Sequence, residues 1–486
     1  MMLRCNWEQD LPSVLRPIST SIAKLHLEPM GEKQVGVVDV TKTIALAMEN
    51  NPVIQQSNSA KKEFTLIVIV CVLCISAGWA QQTDTSYKRR VLETSEIDVL
   101  FSYYDQDGQH AAVTGGEGTE ELTDATSTLV LRMPMNEDDI LTVDVGLSAY
   151  TSASSSNVNP LDGGINATPF DASSGESRKD LLAYINPSYQ HSSEDRNSIW
   201  SANIYFSSEY DYFSFGFGGS YTRLFNEKNT ELTISSRVFL DKWNAIYPIE
   251  LRDGFFDDRV TGTGTYNPNF TEFGKENRNS YTLSFSFSQI LSQKLQGALF
   301  VDLVSQDGLL STPFQRVYFA DANDFFIDDF QLADNVEQLP DSRLKVPLGG
   351  RLNYYVNDLL VLRSYYRYYW DDWGITSHTA SLEAPFKLTD RFTLYPTYRY
   401  YTQTAADYFY PKETALSTSE FYTSDYDLSE YNAHQYGFGI QYKDIFTSAK
   451  IFNFGLKTID LRFSQYDRSD GLNVFIITFG TTFIGN

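Results

Sequence analysis

Residues 359–370, LLVLRSYYRYYW, split at period two into two unlike faces. Leu360, Leu362, Ser364, Tyr366, Tyr368 and Trp370 share one side, and Val361, Arg363, Tyr365, Arg367 and Tyr369 share the other. The first side grades from aliphatic to aromatic, as a strand does when it climbs from hydrocarbon into an interfacial girdle. The second side is aqueous in character. The same alternation recurs along the chain and predicts strands near 95–106, 122–134, 139–152, 180–192, 198–209, 212–225, 230–243, 280–291, 295–306, 344–356, 358–370, 375–388, 391–404, 431–444, 450–466 and 472–485.

The connections alternate as well. Short turn-like links such as Asn226-Glu227-Lys228-Asn229, Ser292-Gln293-Lys294 and Asn357-Asp358 take turns with long segments at 107–121, 153–179, 244–279, 307–343 and 405–430. Tight turns on one side and long loops on the other are the sidedness of an outer-membrane barrel, with the loops outside the cell. The expected fold is therefore all-β: a transmembrane, antiparallel, up-and-down β-barrel of about sixteen strands, with fourteen as the alternative count. A soluble sandwich or propeller would need the oily faces to meet in a core, whereas the opposite faces here are rich in Tyr, Thr and Ser.

The N-terminal region changes the domain picture. Phe64 to Ile75, FTLIVIVCVLCI, follows Lys61-Lys62 and precedes Ala77-Gly78-Trp79-Ala80, the layout of a secretory signal peptide cleaved near Ala80, with a retained anchor as the other reading. Residues 1–60 precede it, and Met48 would supply an ordinary start. The expected organisation is an upstream extension or start-site misassignment over 1–60, a signal peptide over 61–80, a periplasmic segment over 81–94 and the barrel over 95–486. Cys5, Cys71 and Cys74 all lie at or before the apolar run, so the exported part has no disulfide framework, and neither Cys71 nor Cys74 follows the small residue of a lipobox.

The chain of 486 residues carries a formal charge of −24, all of it in the exported part, where 31 basic side chains face 55 acidic ones. Such a surface excludes nucleic acid as a partner and suits outer-membrane lipid, divalent cations, and surface or periplasmic protein partners.

With the motifs in view, the chain resembles the bacterial family known as domain of unknown function 3570, a set of uncharacterised outer-membrane proteins. The resemblance rests on Gln315-Arg316-Val317-Tyr318-Phe319, on Leu339-Pro340-Asp341-Ser342-Arg343, on Tyr366 to Ile375 (YRYYWDDWGI), on His378-Thr379 and on Tyr398 to Tyr408 (YRYYTQTAADY). It implies a membrane barrel and an outer-membrane location in a Gram-negative bacterium, and no activity, cofactor or catalytic residue.

Three constellations could carry chemistry. Lys345, Arg351, Arg363, Arg367, Lys387 and Arg399 fall on inward positions of four consecutive predicted strands, joined by Glu383. They form either an anion-attracting pore wall or a set of salt bridges to loop carboxylates. Asp321, Asp324, Asp328 and Asp329 in the acidic segment 319–341 would supply those carboxylates by folding inward against Arg351, Arg363 and Arg367. They could also hold Ca²⁺ or form a solvated acidic surface. Trp370, Asp371, Asp372 and Trp373 read as a tight extracellular turn anchored in the aromatic girdle. The neighbouring carboxylates point apart on a strand end and suit acid-base chemistry poorly. For the same reason Ser377 and His378 cannot pair as nucleophile and base, and His110, His191, His378 and His434 lack metal spacing.

No enzyme and no cofactor is expected. The expected function is a porin-like channel or uptake component for a small solute. The alternative is a barrel plugged by its own loops that anchors or assembles a cell-surface complex.

Overall fold

The computed structural model describes residues 90–151, 179–268 and 274–485. The signal peptide, its cleavage site, the upstream extension and most of the loop 153–179 lie outside the described residues. Residues 91–134 and 138–485 belong to one compact unit, and Arg90 with the turn 135–137 is the described part of a second.

Sixteen strands follow the predicted order. They are β1 Glu96–Gly108, β2 Glu120–Pro134, β3 Asp139–Thr151, β4 Lys179–Ser192, β5 Ser198–Ser208, β6 Tyr212–Phe225, β7 Thr230–Asn244, β8 Lys275–Ser292, β9 Leu295–Gly308, β10 Ser342–Tyr355, β11 Val361–Asp371, β12 Thr376–Glu383, β13 Phe392–Gln403, β14 Tyr431–Lys443, β15 Phe454–Arg468 and β16 Asn473–Gly485. Each pairs antiparallel with its sequence neighbours, and β1 pairs with β16 from Glu96↔Ile484 to Asp107↔Asn473, which closes the ring. Closure leaves no row of unpaired backbone groups, the condition for a sheet to stand in hydrocarbon. Among the described residues no helix is long and apolar enough to cross a membrane.

The faces sort as the period-two pattern requires. On β8, Tyr281, Leu283, Phe285 and Phe287 are exposed on the outside, while Ser280, Thr282, Ser284 and Ser286 alternate with them. Leu299, Leu348, Leu352, Phe213, Phe217, Phe438 and Phe463 continue the exposed apolar band. On β11, Tyr366 and Trp370 are exposed, as the oily side of that segment should be. Two spans differ from expectation. β12 stops at Glu383 because Ala384-Pro385 interrupts it before the short Phe386–Lys387 piece resumes the sheet, since a proline has no N–H for the ladder. The chain also folds back at Phe452, which has positive φ, so that Lys450–Ile451 pairs with Phe454 and Gly455 instead of leading straight into β15.

The long loops carry structure that strand periodicity does not announce. Arg316–Val317 pairs with Asn335–Val336, and Phe325–Ile327 pairs with both Phe330–Gln331 and Thr261–Gly262. Around them lie buried apolar clusters: Tyr247, Leu251, Tyr318, Ala333 and Val336; Phe325, Ile327 and Leu332; Val317, Phe319, Ala415 and Tyr422; and Leu310, Leu339 and Trp373. The loops thus have a hydrophobic core of their own.

Candidate functional site: a charged lumen under a loop cap

The lumen wall follows from strand register. Opposite residues of an antiparallel pair share a face, and the pairs Arg351↔Tyr365, Asn353↔Arg363, Gly349↔Arg367, Arg367↔Thr379 and Ser381↔Arg399 put Arg351, Arg363, Arg367 and Arg399 on one face of β10, β11 and β13. That face is the inner one. Glu383 on β12 accepts from Arg363 Nη1 at 2.8 Å and from Arg462 Nη1 of β15 at 3.3 Å, a reach past β13 and β14 that runs along an inward chord. Arg351 lies 5.6 Å from the centre of the Phe300 ring. Lys345 is in register with Asp371 near the loop end. Lys387 sits at the opposite rim, where it pairs with Asp390 of the turn at 3.3 Å, so it does not share the level of the arginines.

The other side of the ring is acidic, which was not anticipated. Asp98 accepts from Arg132 at 2.6 Å and from Thr482 at 2.6 Å. Asp124 accepts from Ser148 at 2.6 Å, and Asp144 from Tyr184 at 3.1 Å. In a ring of sixteen, β2 stands opposite β10 and β3 opposite β11. Asp124 of β2 and Asp144 of β3 therefore stand on the part of the ring opposite Arg351 of β10 and Arg363 and Arg367 of β11. The inward parity of Asp98, Asp124 and Asp144 was available in the sequence once the phase of each strand was set.

Over the loop end lies the cap. Its centre is the ion pair of Arg316 with Glu250, Nε to Oε1 at 2.7 Å, both side chains fully buried. Segment 309–341 bonds to segment 405–430 through Ala320 N to Ala415 O at 2.8 Å, reciprocal backbone bonds between Gln338 and Tyr422 at 2.9 and 2.7 Å, Thr423 Oγ1 to Glu337 Oε2 at 2.6 Å, and Gln315 Nε2 to Ser424 Oγ at 3.0 Å. The β1–β2 loop joins in. Lys412 Nζ reaches Glu117 at 3.4 Å and the Tyr318 ring at 4.5 Å, while Gly115, at φ +74°, lies against the face of Tyr318 so closely that a Cβ would clash. The β1–β2 and β9–β10 loops leave the ring eight strands apart, so their meeting spans the mouth.

The cap is tied to the wall at three places. Gln403 Nε2 of β13 donates to the carbonyls of Asp427 and Ser429 at 3.0 and 2.6 Å. Arg468 of β15 holds Asp427 at 2.5 Å and the Tyr426 carbonyl at 3.0 Å, and lies 3.9 Å from the Tyr431 ring centre. Asp371, fully buried, accepts from Arg343 Nε at 3.0 Å, Tyr369 Oη at 2.7 Å, Trp373 N at 3.1 Å and Ile375 N at 3.0 Å. Several loop carboxyls are buried, which disfavours their charged form. Burial pushes Asp334 up to about 6, and raises Glu337. Asp425 is raised well above the usual range by burial and by neighbouring Asp427.

Three expectations are corrected. Asp321, Asp324, Asp328 and Asp329 are exposed and do not fold against Arg351, Arg363 and Arg367: Asp321 accepts from Ser417 at 2.8 and 2.9 Å, Asp324 from Gln331 at 3.1 Å, and Asp328 lies 3.6 Å from Arg259. The apolar residues between them, Phe325 and Ile327, turn inward instead and leave the acids in water. Nor do those four acids gather as cation ligands. The carboxylates that do meet among the described residues are Asp180, Glu209 and Asp211, at the loop end of β4 to β6. Trp373 belongs to the cap core rather than the girdle, buried beneath Arg343 at 4.2 Å with its indole N–H on the Ser342 carbonyl, because the turn at Gly374 (φ +88°) directs it inward; Trp370 remains outside. Asp371 and Asp372 do point apart, Asp372 accepting from Leu344 N at 2.9 Å. Ser377 is buried while His378 is exposed and meets Tyr366 Oη at 2.7 Å, so the two form no dyad.

A closed ring of sixteen strands, apolar outside and charged within, defines an outer-membrane β-barrel. The profile of the family described as Protein of unknown function (DUF3570) matches residues 69–471, and the chain belongs to that family. No curated protein matches the chain. Among solved structures it is similar to a bacterial polysaccharide outer membrane secretin at 12% identity, covering 82% of this chain and 100% of that one with a TM-score of 0.41. It is also similar to the TodX monoaromatic hydrocarbon channel, at 9% identity, coverage of 82% and 91% and a TM-score of 0.36. A BenF-like porin from Pseudomonas fluorescens Pf-5 matches at 8% identity, coverage of 81% and 99% and a TM-score of 0.36.

Proposed function

We propose that this outer-membrane barrel is a channel for a small hydrophilic solute whose external mouth is closed by its own loops. The reading is carried by one juxtaposition: a polar wall with opposed acidic and basic sides, of the kind that orders charged solutes, lies beneath a cap assembled from loops on opposite sides of the ring. The chain acts as a conduit rather than as an enzyme, exported by the signal segment 61–80, with membrane lipid around it and no nucleic acid among its partners.

A second reading has its own support. The cap has an apolar core and a buried ion pair, features of a rigid platform, so the barrel could serve as a loop-plugged anchor for a surface or periplasmic complex.

Planar-bilayer recordings separate the two. Deleting residues 321–335 removes Phe325, Ile327, Leu332 and Ala333 from the cap core. A channel responds with a conductance above that of the intact protein and a shift in selectivity toward anions as Arg351, Arg363, Arg367 and Arg399 become accessible. A deletion variant that folds and stays closed rejects the channel in favour of the anchor.

A further inference from the structure

On the turn side of the barrel, Asn357-Asp358 and Thr389-Asp390 hand one strand to the next in a few residues, whereas residues 444–453 run on between β14 and β15. The longer turn is ordered by its own bonds. The Asp444 carboxylate accepts from Phe446 N at 3.3 Å, Ser448 N at 2.7 Å and Ala449 N at 3.2 Å. Leu456 N donates back to the Ala449 carbonyl at 2.7 Å, and Lys450–Ile451 pairs with Phe454 and Gly455. Thr447 and Phe452 hold φ of +47° and +53°, a left-handed backbone that β-branched and bulky residues rarely take.

What the turn presents is apolar. Phe446 is 72% exposed and Phe452 70%, against 39% for Phe463 in the lipid-facing band of β15, and Ile445 and Ile451 are exposed beside them. An apolar patch of this kind marks a contact surface, and the register shows which way it points. Phe463, Leu461, Ile459, Leu456 and Phe454 are in register with Ile477, Phe479, Thr481, Phe483 and Gly485 of β16, an outward file that also holds the exposed Phe475. Ile451 is in register with Phe454, and facing residues of an antiparallel pair share a face. The turn therefore continues the lipid-facing file past the end of the wall. Two residues before it, the Tyr442 ring lies 5.2 Å from that of Phe392, where an interfacial girdle ends the hydrocarbon.

The same rim is basic, in a chain of net charge −24. Lys387 and Arg391 at the β12–β13 turn, and Lys443 and Lys450 at the β14–β15 turn, are all exposed. Arg391 lies 6.0 Å from the centre of the Phe446 ring. The acids of these two turns are Asp390, which pairs with Lys387 at 3.3 Å, and Asp444, which is buried under the turn it caps. We propose that the β14–β15 turn is a membrane foot that selects anionic phospholipid of the periplasmic leaflet. Phe446, Ile451 and Phe452 enter the boundary of the acyl chains, and Lys387, Arg391, Lys443 and Lys450 take the phosphate groups. Long basic side chains lay their stems on apolar surface and keep the charge at the headgroup level, and a net negative headgroup adds an attraction that a zwitterionic one lacks. Continuity with the lipid-facing file favours the membrane over a periplasmic protein as the occupant. The foot does not depend on whether the barrel conducts.

Phe446→Trp keeps an aromatic ring beside Arg391 and places a reporter on the foot. The exported barrel is refolded in mixed vesicles of phosphatidylcholine and phosphatidylglycerol, with brominated acyl chains on one lipid or the other, and quenching is taken as the difference from the parent protein. The introduced indole should be quenched by both lipids, with a relative binding constant roughly fivefold or more in favour of phosphatidylglycerol, the size of one cation's attraction to an anionic surface. Adding Lys387→Gln, Arg391→Gln, Lys443→Gln and Lys450→Gln together should bring that preference near one while the quenching remains. Heat-modifiability gels show that each variant is folded before it is read. No quenching beyond the parent's puts the foot in water or on a protein and overturns the proposal. Equal quenching by the two brominated lipids, or a preference that survives the loss of all four cations, overturns the selection of anionic headgroups. A quenched, selective foot on a barrel that stays silent in planar bilayers upholds the proposal and counts against the channel alone.

Discussion

Single residues decide how firmly the cap holds. Arg316 and Glu250 meet with no exposure to water, and a buried charge without its partner costs about 3–5 kcal/mol, whereas replacing the whole pair by apolar groups of similar size is often neutral. Arg316→Met or Glu250→Leu alone should therefore lower the urea midpoint of cap unfolding clearly, and the double variant should recover most of the loss. Additive losses would show that the two do not act as a pair. Asp334 offers a titration at the same scale. It accepts from Phe319 N at 2.8 Å and is raised to about 6 by burial. Cap stability drawn from it is complete below about pH 4 and falls as pH rises through about 6, and Asp334→Asn should flatten that slope in urea titrations between pH 4 and 8. At this scale the sequence was partly legible. Arg351, Arg363, Arg367 and Arg399 could be set inward because their parity is fixed by their own strands. Glu250, Arg316 and Trp373 could not be set, because a loop side chain takes its direction from a turn, such as that at Gly374, and from partners far away in the chain.

At the scale of elements the strands carry their own evidence. Leu348 stands on the outer face in the middle of β10, exposed and in register with Val301 of β9 and Tyr368 of β11. Arg there would cost roughly 2–4 kcal/mol near the bilayer midplane. Ser284, in mid-β8, faces inward among Ser235 of β7 and Asp302 of β9. Leu348→Arg should sharply reduce the folded fraction on heat-modifiability gels, and Ser284→Arg should leave it near wild type; the reverse order would mean that the two faces are exchanged, and equal yields that neither position distinguishes lipid from lumen. Leu360, in contrast, precedes the first residue of β11, so an outward charge there meets the rim rather than the midplane. All sixteen strands were legible because hydrocarbon outside and water inside impose one period of two. The short strands in the loops were not, because two or three residues such as Arg316–Val317 are too few to show any period, and the hydrogen bonds that define them come from elsewhere in the fold.

The whole molecule adds what neither scale contains: a ring brings distant loops face to face. Sidedness was readable from the alternation of short and long connections, and so was the prospect of a plug. Its wiring was not, since the acidic tips that suggested inward bridges stay in water and the apolar residues between them enter. Glu117 of the β1–β2 loop and Lys412 of the β13–β14 loop, which leave the ring four strands apart, lie 295 positions apart in sequence and 3.4 Å apart in space. A contact of this kind can be captured without mutation, because carbodiimide activates a carboxylate and a paired amine closes on it as an amide. Peptide mapping after brief treatment of the folded barrel should return a Glu117 to Lys412 cross-link, and that link should disappear in Lys412→Met. Coupling these two loops also restrains both at once. If the cap opens by separating these loops, the linked protein should show a conductance no higher than its closed level under conditions in which the unlinked protein conducts. A linked barrel that still opens would place the moving part elsewhere in the cap, between segment 309–341 and the wall.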